Sequence, residues 1–207
     1  TLRNRALNYQ HVYSRTDSCV RGKFADGSFT QDFDKFSRKS YITEGTPYQY
    51  TWYVPHDIAG LMEMMGGEEG FNNNLDHFHR SGQYWHGNEP SHQILFLYNY
   101  SGQPWKTQQL VSEIMDTKYS VDVGGLSGND DAGQMSAGYV FAAMGFYPVN
   151  PASGVYDLGV PLFDRMEIDI PGINSFVIQK KNSDAANTYV KSITLNGQEL
   201  NNLHITH

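Results

Sequence analysis

The chain has almost no cysteine, no concentration of positive charge and no long apolar run. Cys19 is its only cysteine, so an intramolecular disulfide and a cysteine-rich zinc site are both excluded. The net charge is −7 and the 15 Lys and Arg residues form no cluster, which argues against a nucleic-acid-binding surface. Every apolar run falls short of the roughly 20 residues that a membrane-spanning helix needs. A His-Glu-x-x-His zinc-hydrolase motif does not occur either.

The residues that are abundant are typical of a folded protein. Hydrophobic residues make up 39% and charged residues 18% of a 207-residue chain, which is enough to bury a sizeable core. Aromatic residues make up 14%, and their rings suit sugar contacts and an aromatic core equally well. The chain begins at Thr1 with neither an initiator Met nor a recognisable signal peptide, so we expect a processed or excised piece of a longer protein. Location is not indicated by the residues themselves.

Helix signals fill the first two thirds of the chain and strand signals fill the last third. Pro47 and Pro104 each suit the first turn of a helix, and Gly66-Gly67 marks a helix end. Helices are predicted at 2–13, 47–54, 58–65, 71–80, 91–100, 104–117 and 133–144. Strands are predicted at 166–170, 176–179, 189–195 and 203–206. The chain is therefore mainly α over 1–148 and β-rich over 149–207.

Two local patterns give sharper expectations. The predicted helix over 133–144 is apolar on several sides, so it should be buried. Asn196-Gly197 between two strand-like runs predicts a tight hairpin turn.

Three polar clusters lie in predicted loops beside aromatic helices. The first surrounds Glu44, the second runs over 84–92 and includes Asn88-Glu89, and the third is the acid pair Asp130-Asp131 between glycines. Hydrolysis of a glycosidic bond needs one carboxylic acid to protonate the leaving oxygen and a second carboxylate as nucleophile or base. A hard divalent cation prefers carboxylate and amide oxygens, which Asn88-Glu89 would provide.

Each cluster also has a purely structural interpretation. A helix cap explains one acid of the pair Asp130-Asp131, but it gives no local structural role to the second. Glu44 and Glu89 each precede a proline-opened helix, so either could serve the helix dipole. Isolated histidines and tryptophans are more often part of a core than ligands or sugar platforms. This applies to His56, His86, His92, Trp52, Trp85 and Trp105.

The three clusters fall within long stretches that resemble glycoside hydrolase family 92, the calcium-dependent exo-acting α-mannosidases. The stretches are TEGTPYQYTWYVPHDIAGLMEMMGG (43–67), HGNEPSHQILFLYNYSGQPWKTQ (86–108) and GNDDAGQMSAGYVFAAMGFYPVNPASGVYDLG (128–159). The resemblance implies a larger enzyme in which an N-terminal β-sandwich precedes an (α/α)6 toroid. This chain would supply the later toroid helices followed by a β-strand layer. The sandwich and early helices, or a second copy of the chain, would cover its exposed face.

The resemblance also implies roles for individual residues in an inverting mechanism. Glu44 would be the general acid, and Asp131 would be the base that activates water, with Asp130 or Asn129 beside it. Asn88 and Glu89 would bind Ca²⁺. The remaining implied substrate contacts are His86 in the leaving-group subsite, Trp52 and Gln49.

The implied activity is hydrolysis of terminal α-linked mannose from N-glycans or mannans, in a secreted or periplasmic bacterial enzyme. Tyr48 and Gly138 stand where many relatives have Trp, and Gly87 follows His86 where an acidic residue is expected, which leaves the linkage preference open. The alternative is a catalytically inert fragment that acts only as a weak carbohydrate-binding or interaction module.

Overall fold

The computed structural model describes residues 1–172, 174–184 and 188–207, and these form two compact units, Thr1–Ile94 and Leu95–His207. Ile173 and residues 185–187 of the predicted β-rich segment lie outside the described residues. Helices dominate up to Met144 and strands follow from Phe146, so the predicted order of helix then strand is confirmed. The division between the units does not coincide with the predicted boundary after residue 148, which stays a prediction.

Short helices and a small antiparallel ribbon build the first unit. The helices are α1 (Leu2–Ala6), α2 (Tyr9–Val12), α3 (Pro47–Tyr50), α4 (Ile58–Met64) and α5 (Gly67–Arg80), and the ribbon pairs β1 (Tyr13–Ser14) with β2 (Cys19–Val20). The single helix predicted over 2–13 is wrong, because α1 and α2 are separate helical turns. Neither contains a buried residue, so no packed face holds the segment in one continuous helix.

Local sequence explains where the longer helices of this unit begin and end. Asp57 caps α4 by accepting a hydrogen bond from the Gly60 amide at 3.1 Å. Gly66 and Gly67 have φ of 94° and 81°, the left-handed geometry that ends α4 and is easiest for glycine. Helix α5 begins at Gly67, four residues before the predicted start at Phe71.

The core of the first unit is aromatic. Trp52 and Phe71 meet edge to face with ring centroids 5.5 Å apart, and Tyr48 meets Phe78 in the same way at 5.2 Å. All four side chains are at most 1% exposed. Edge-to-face pairs of this kind add to the stabilisation from apolar burial. Helix α3 is thereby fixed against α5.

A long 3-10 helix, Glu89–Asn99, replaces the α-helix predicted over 91–100. Residues 91–98 are all buried. The prediction of an α-helix was wrong because a fully buried run has no amphipathic period that would distinguish the two helix types. Runs of 3-10 helix longer than three or four residues are uncommon.

Two longer α-helices and several short antiparallel strands build the second unit. The helices are α6 (Pro104–Thr117) and α7 (Gln134–Met144), and a single 3-10 turn covers Pro151–Ser153. Strands β3 (Phe146–Tyr147), β4 (Val155–Leu158) and β9 (His204–Thr206) form one sheet in the order β3-β4-β9. Separate hairpins pair β5 (Arg165–Ile168) with β6 (Phe176–Gln179) and β7 (Thr194–Leu195) with β8 (Gln198–Glu199).

Strands were predicted correctly where the sequence contains a turn dipeptide or alternating apolar and polar residues. Strand β6 matches its predicted bounds, and the turn at Asn196-Gly197 is confirmed, with φ of 50° and 82° between β7 and β8. The strand predicted over 189–195 contracts to Thr194–Leu195. Strands β3 and β4 were not predicted.

The expectation that α7 is buried is wrong for most of the helix. Only Met135, Gly138 and Ala143 are buried, and Val140 is 54% exposed. The helix is apolar around its whole circumference, but the described residues of the second unit cover only part of it. Gly138 lies on the covered side.

Candidate active site

A tight turn places Glu44 immediately before α3. Its backbone has a left-handed φ of 67°, and its side chain is exposed. Gly45 follows and is buried, and it has no room for a side chain, because a Cβ there would lie 2.7 Å from the Tyr50 ring. Thr46 and Gln49 form a reciprocal capping box, with hydrogen bonds of 2.9 and 3.2 Å. The Glu44 carboxylate therefore extends from a turn that close packing and a helix cap both hold.

The structure places Gln49 and Trp52, both predicted substrate contacts, beneath this turn. The Gln49 amide oxygen accepts from the Thr46 amide, and its nitrogen donates to the Gln83 carbonyl at 3.0 Å. Trp52 is 1% exposed within the aromatic core. Both positions favour a supporting role over direct contact with a sugar.

The other two tryptophans do not follow the expectation of a core position. Trp85 is 43% exposed and Trp105 is 47% exposed, so that expectation is wrong for both. Trp85 lies between Tyr84 and His86, within the predicted substrate-binding segment. Its side chain is accessible, which composition alone did not distinguish from the buried Trp52.

Residues 84–92 hold His86 in a closely bonded setting. His86 is 5% exposed, and its Nδ1 lies 2.7 Å from the Tyr84 hydroxyl. The imidazole stacks on His92 with ring centroids 4.5 Å apart. Burial lowers the pKa of His92 to about 4, so that ring is neutral at neutral pH. By contrast, His56 lies exposed on the surface and contacts the Ala6 carbonyl at 2.9 Å.

Asn88 and Glu89 have the donor types that calcium prefers. Asn88 is 9% exposed, its carbonyl accepts from the Ser91 amide at 2.9 Å, and Glu89 begins the long 3-10 helix. Calcium is bound by six to eight oxygens. The part of the chain that the structure describes contains no group of three or more His, Cys, Asp or Glu arranged to hold a metal. The pair therefore fits calcium in chemistry and supplies only part of a coordination shell.

In the second unit, the two adjacent acids have different environments. The Asp130 carboxylate accepts from the Ser136 amide at 2.8 Å, and its carbonyl accepts from the Gly133 and Met135 amides. Asp130 lies three residues before Gly133, the N-cap of α7, and its carboxylate thus satisfies an amide in the first turn of that helix. Asp131 is exposed, and its carboxylate makes no hydrogen bond among the described residues. The sequence left open which acid caps the helix.

The turn that carries Asp131 is strained. Asp131 and Ala132 have φ of 44° and 58°, and Gly133 follows at 89°. Left-handed geometry costs a non-glycine residue roughly 1–2 kcal/mol. Glu44 has the same unusual geometry, and strained backbone is concentrated at functional sites more often than elsewhere.

The candidate residues are distributed over both units. Glu44, His86, Asn88 and Glu89 belong to the first unit, and Asp130-Asp131 belongs to the second. Their assembly into one acid–base site stays a prediction.

Comparison with known proteins gives consistent matches along the whole chain. The family model described as the glycosyl hydrolase family 92 catalytic domain matches residues 1–207. A family GH92 α-mannosidase from Bacteroides thetaiotaomicron superposes with a TM-score of 0.90 and 38% identity over 98% of this chain. A family GH92 inverting mannosidase from the VPI-5482 strain of that species gives 0.89 and 35% over 98%.

A curated relative is less similar. It is an uncharacterized secreted glycosidase of Arthroderma benhamiae, 33% identical over 83% of this chain. The chain spans 28% and 31% of the two mannosidases and 22% of the fungal protein. In the described residues, no helix is both long and apolar enough to cross a membrane.

Proposed function

The chain belongs to glycosyl hydrolase family 92, and on that premise we propose that it is part of a calcium-dependent, inverting exo-α-mannosidase. The enzyme removes terminal α-linked mannose from N-glycans or mannans. The observation that carries the proposal is the exposed carboxylate of Asp131, which has no hydrogen bond among the residues that the structure describes, whereas the neighbouring Asp130 carboxylate is bonded to the Ser136 amide of α7. A carboxylate without such a bond is available to activate water.

In the proposed mechanism, Glu44 protonates the departing glycosidic oxygen and Asp131 deprotonates the attacking water. Inversion requires the two carboxyl groups to stand roughly 6.5–9.5 Å apart, so that the water fits between the sugar and the base. Glu44 is suited to the acid role because its turn is held by the Thr46–Gln49 capping box and extends into solvent. Because the turn is already held in place, the Glu44 backbone loses little conformational entropy when substrate binds.

Asn88 and Glu89 would hold Ca²⁺ through their side-chain oxygens. Bound there, calcium would accept vicinal hydroxyls of the mannose and favour the oxocarbenium-like geometry of its ring. Further oxygen ligands would come from backbone, water, the sugar or protein outside this chain. His86 would contact the leaving-group sugar, with Trp52 and Gln49 supporting the acid turn from below.

The test compares the full-length enzyme with two site variants on a chromogenic α-mannoside. We expect Glu44→Gln and Asp131→Asn each to lower kcat by at least about 100-fold, since acid–base catalysis contributes 10²–10⁴-fold. Matched controls are Glu68→Gln and Glu113→Gln, which remove exposed carboxylates from α5 and α6.

NMR of the first product should show β-mannose, and EDTA should abolish turnover. Full activity in E44Q would refute the acid assignment, and full activity in EDTA would refute the calcium role.

The alternative is that these 207 residues bind carbohydrate weakly without catalysis. The incomplete set of calcium ligands and the 28% share of the mannosidase length favour it for the isolated chain. Incubating the 207-residue chain with the same mannoside and calcium, beside the full-length enzyme, decides the matter. Turnover by the short chain would exclude the inert-fragment alternative. We further propose that the enzyme is secreted, as the fungal relative is described to be.

A further inference from the structure

Three aromatic side chains of the first unit are linked at Tyr84, His86 and His92. The Tyr84 hydroxyl lies 2.7 Å from Nδ1 of His86. On its face, the His86 ring stacks on His92 with centroids 4.5 Å apart and planes 24° apart. The His92 Nε2 donates to the His86 carbonyl, 3.3 Å away, since a carbonyl can only accept. His86 is therefore held at its ring edge, its ring face and its backbone.

These contacts remove the freedoms that a histidine side chain normally has. A free imidazole can flip by 180° and exchange its two nitrogens. The hydrogen bond at Nδ1 favours one of the two flipped orientations of the ring, and this fixes the position of Nε2. The stack on His92, which is itself 2% exposed, prevents the ring from tilting. Neighbours that orient a functional histidine in this way commonly tune it without touching its ligand.

We propose that Tyr84 and His92 are positioning residues that hold His86 against the leaving-group sugar of the mannoside. The inference rests on the proposed function, which assigns His86 to that subsite. His86 is 5% exposed and His92 is 2% exposed, and the proposal gives the sugar contact to His86, so the effect of His92 passes through that ring. Trp85, between Tyr84 and His86 in the sequence, is 43% exposed, so this segment reaches the surface of the unit. Substrates with a sugar leaving group should depend on the arrangement, and substrates with a small aryl leaving group should not.

A double-mutant cycle in the full-length enzyme tests the coupling. With a mannose disaccharide, Tyr84→Phe should raise KM about 2- to 10-fold, the effect of one hydrogen bond. With an aryl mannoside, both kcat and KM should stay within about 2-fold of wild type. In a His86→Ala background, adding Y84F should change nothing further. An additive loss in the double variant, or an equal loss on both substrates, would overturn the proposal.

A control and a second measurement separate this inference from the proposed function. Tyr53→Phe removes a hydroxyl from an exposed tyrosine of the same unit and should leave both substrates unaffected. NMR of ¹⁵N-histidine-labelled enzyme reports the His86 ring nitrogens directly, and Y84F should shift the Nδ1 resonance. A wild-type enzyme without mannosidase activity would refute the proposed function. An unchanged His86 Nδ1 resonance in Y84F would refute the positioning role, whatever the activity.

Discussion

Asp130 and Asp131 are adjacent in the sequence but have different environments: the first supports the start of a helix, and the second is the candidate catalytic base. The Asp130 carboxylate is directed back to the Ser136 amide, one turn into α7. Asp131 follows at a left-handed φ of 44°, and the residue is exposed. The sequence predicted that one acid of the pair would be an ordinary helix cap, but the N-cap of α7 is Gly133 and Asp130 bonds the Ser136 amide from three residues before it. The sequence could not say which acid would do so, because that depends on the turn geometry.

Substitutions should separate the two roles. Asp130→Ala should lower the free energy of unfolding by about 1 kcal/mol, because it removes the hydrogen bond that the carboxylate accepts from the Ser136 amide. D130N retains an oxygen acceptor and should keep both stability and activity. D131N should instead lose activity while its stability stays within about 0.5 kcal/mol of wild type. Urea denaturation and mannoside assays measure the two effects, and a destabilised D131N would contradict this division.

Tyr48, which the family resemblance marks as a departure from an expected Trp, lies in the core of the first unit. It is 0% exposed, its hydroxyl donates to the Asn74 carbonyl at 2.9 Å, and it lies 3.1 Å from His77 Nδ1. Lys35 lies over the ring, 4.3 Å from its centroid. The substitution therefore exchanges an apolar surface for a hydrogen bond inside the core.

Removing that hydroxyl should cost stability and leave catalysis intact. We expect Tyr48→Phe to lower the unfolding free energy by about 1–2 kcal/mol, since a buried acceptor loses its donor. Tyr53→Phe, at an exposed tyrosine, is the matched control and should change it by less than about 0.5 kcal/mol. Thermal melts of both variants measure the difference. Equal melting temperatures would show that the buried hydrogen bond contributes no net stability.

Strand β4 contains a buried acid that makes stability depend on pH. Asp157 is 4% exposed, and its carboxylate accepts from the Tyr100 hydroxyl at 3.0 Å. Burial raises its pKa from 3.8 to about 6, and the Tyr100 hydrogen bond opposes the rise. Between these two pH values the folded state holds a proton that the unfolded state has released. The stability contributed by the protonated group is therefore present below pH 3.8 and is lost as pH rises through about 6.

The neutral analogue should remove this dependence. From pH 4 to pH 7, wild type should lose up to about 3 kcal/mol of stability relative to Asp157→Asn, because one pKa unit corresponds to 1.36 kcal/mol. Urea unfolding at a series of pH values measures the difference between the two proteins, which cancels the other titrating groups. Two parallel stability curves would mean that Asp157 titrates normally in the folded state.

The turn before α7 should gain stability when its strain is relieved. Ala132 has φ of 58° and no polar side chain to favour that geometry. We expect Ala132→Gly to stabilise by about 0.5–1 kcal/mol, the left-handed penalty less the entropy cost of glycine. Ala137→Gly, inside α7, should instead destabilise by about 1 kcal/mol. Destabilisation by A132G, measured in the same denaturation series, would show that the turn is not strained.

The boundaries of some elements could be predicted from sequence and others could not. Helix α6 and the hairpin at Asn196-Gly197 were predictable, because Pro104 and the Asn-Gly pair fix local geometry. The long 3-10 helix and strands β3 and β4 depend on packing, for which short buried runs give no period. The roles assigned to Glu44 and Asn88-Glu89 came from family resemblance. No local pattern distinguishes them from a helix-dipole acid and an ordinary loop.

The exposed apolar surface of α7 has a consequence for the behaviour of the 207-residue chain in solution. Val140 is 54% exposed on a mostly apolar helix of which only three residues are buried, and exposed apolar surface promotes association. The chain spans only 28% of the similar mannosidase, so protein outside these residues is available to cover that face in the whole enzyme. We therefore expect the isolated chain to self-associate and the full-length enzyme to do so less.

A charge placed on this helix should reverse the association. Val140→Glu should shift the isolated chain toward monomer in analytical ultracentrifugation, because burying an unpaired carboxylate at a new interface costs several kcal/mol. Val177→Glu alters a valine of similar exposure (45%) on β6 and should leave the association unchanged. In the full-length enzyme, V140E should lower stability, since the same face is then covered by protein. A wild-type chain that remains monomeric at high concentration would mean that α7 needs no partner, and a full-length V140E of unchanged stability would mean that nothing covers it there.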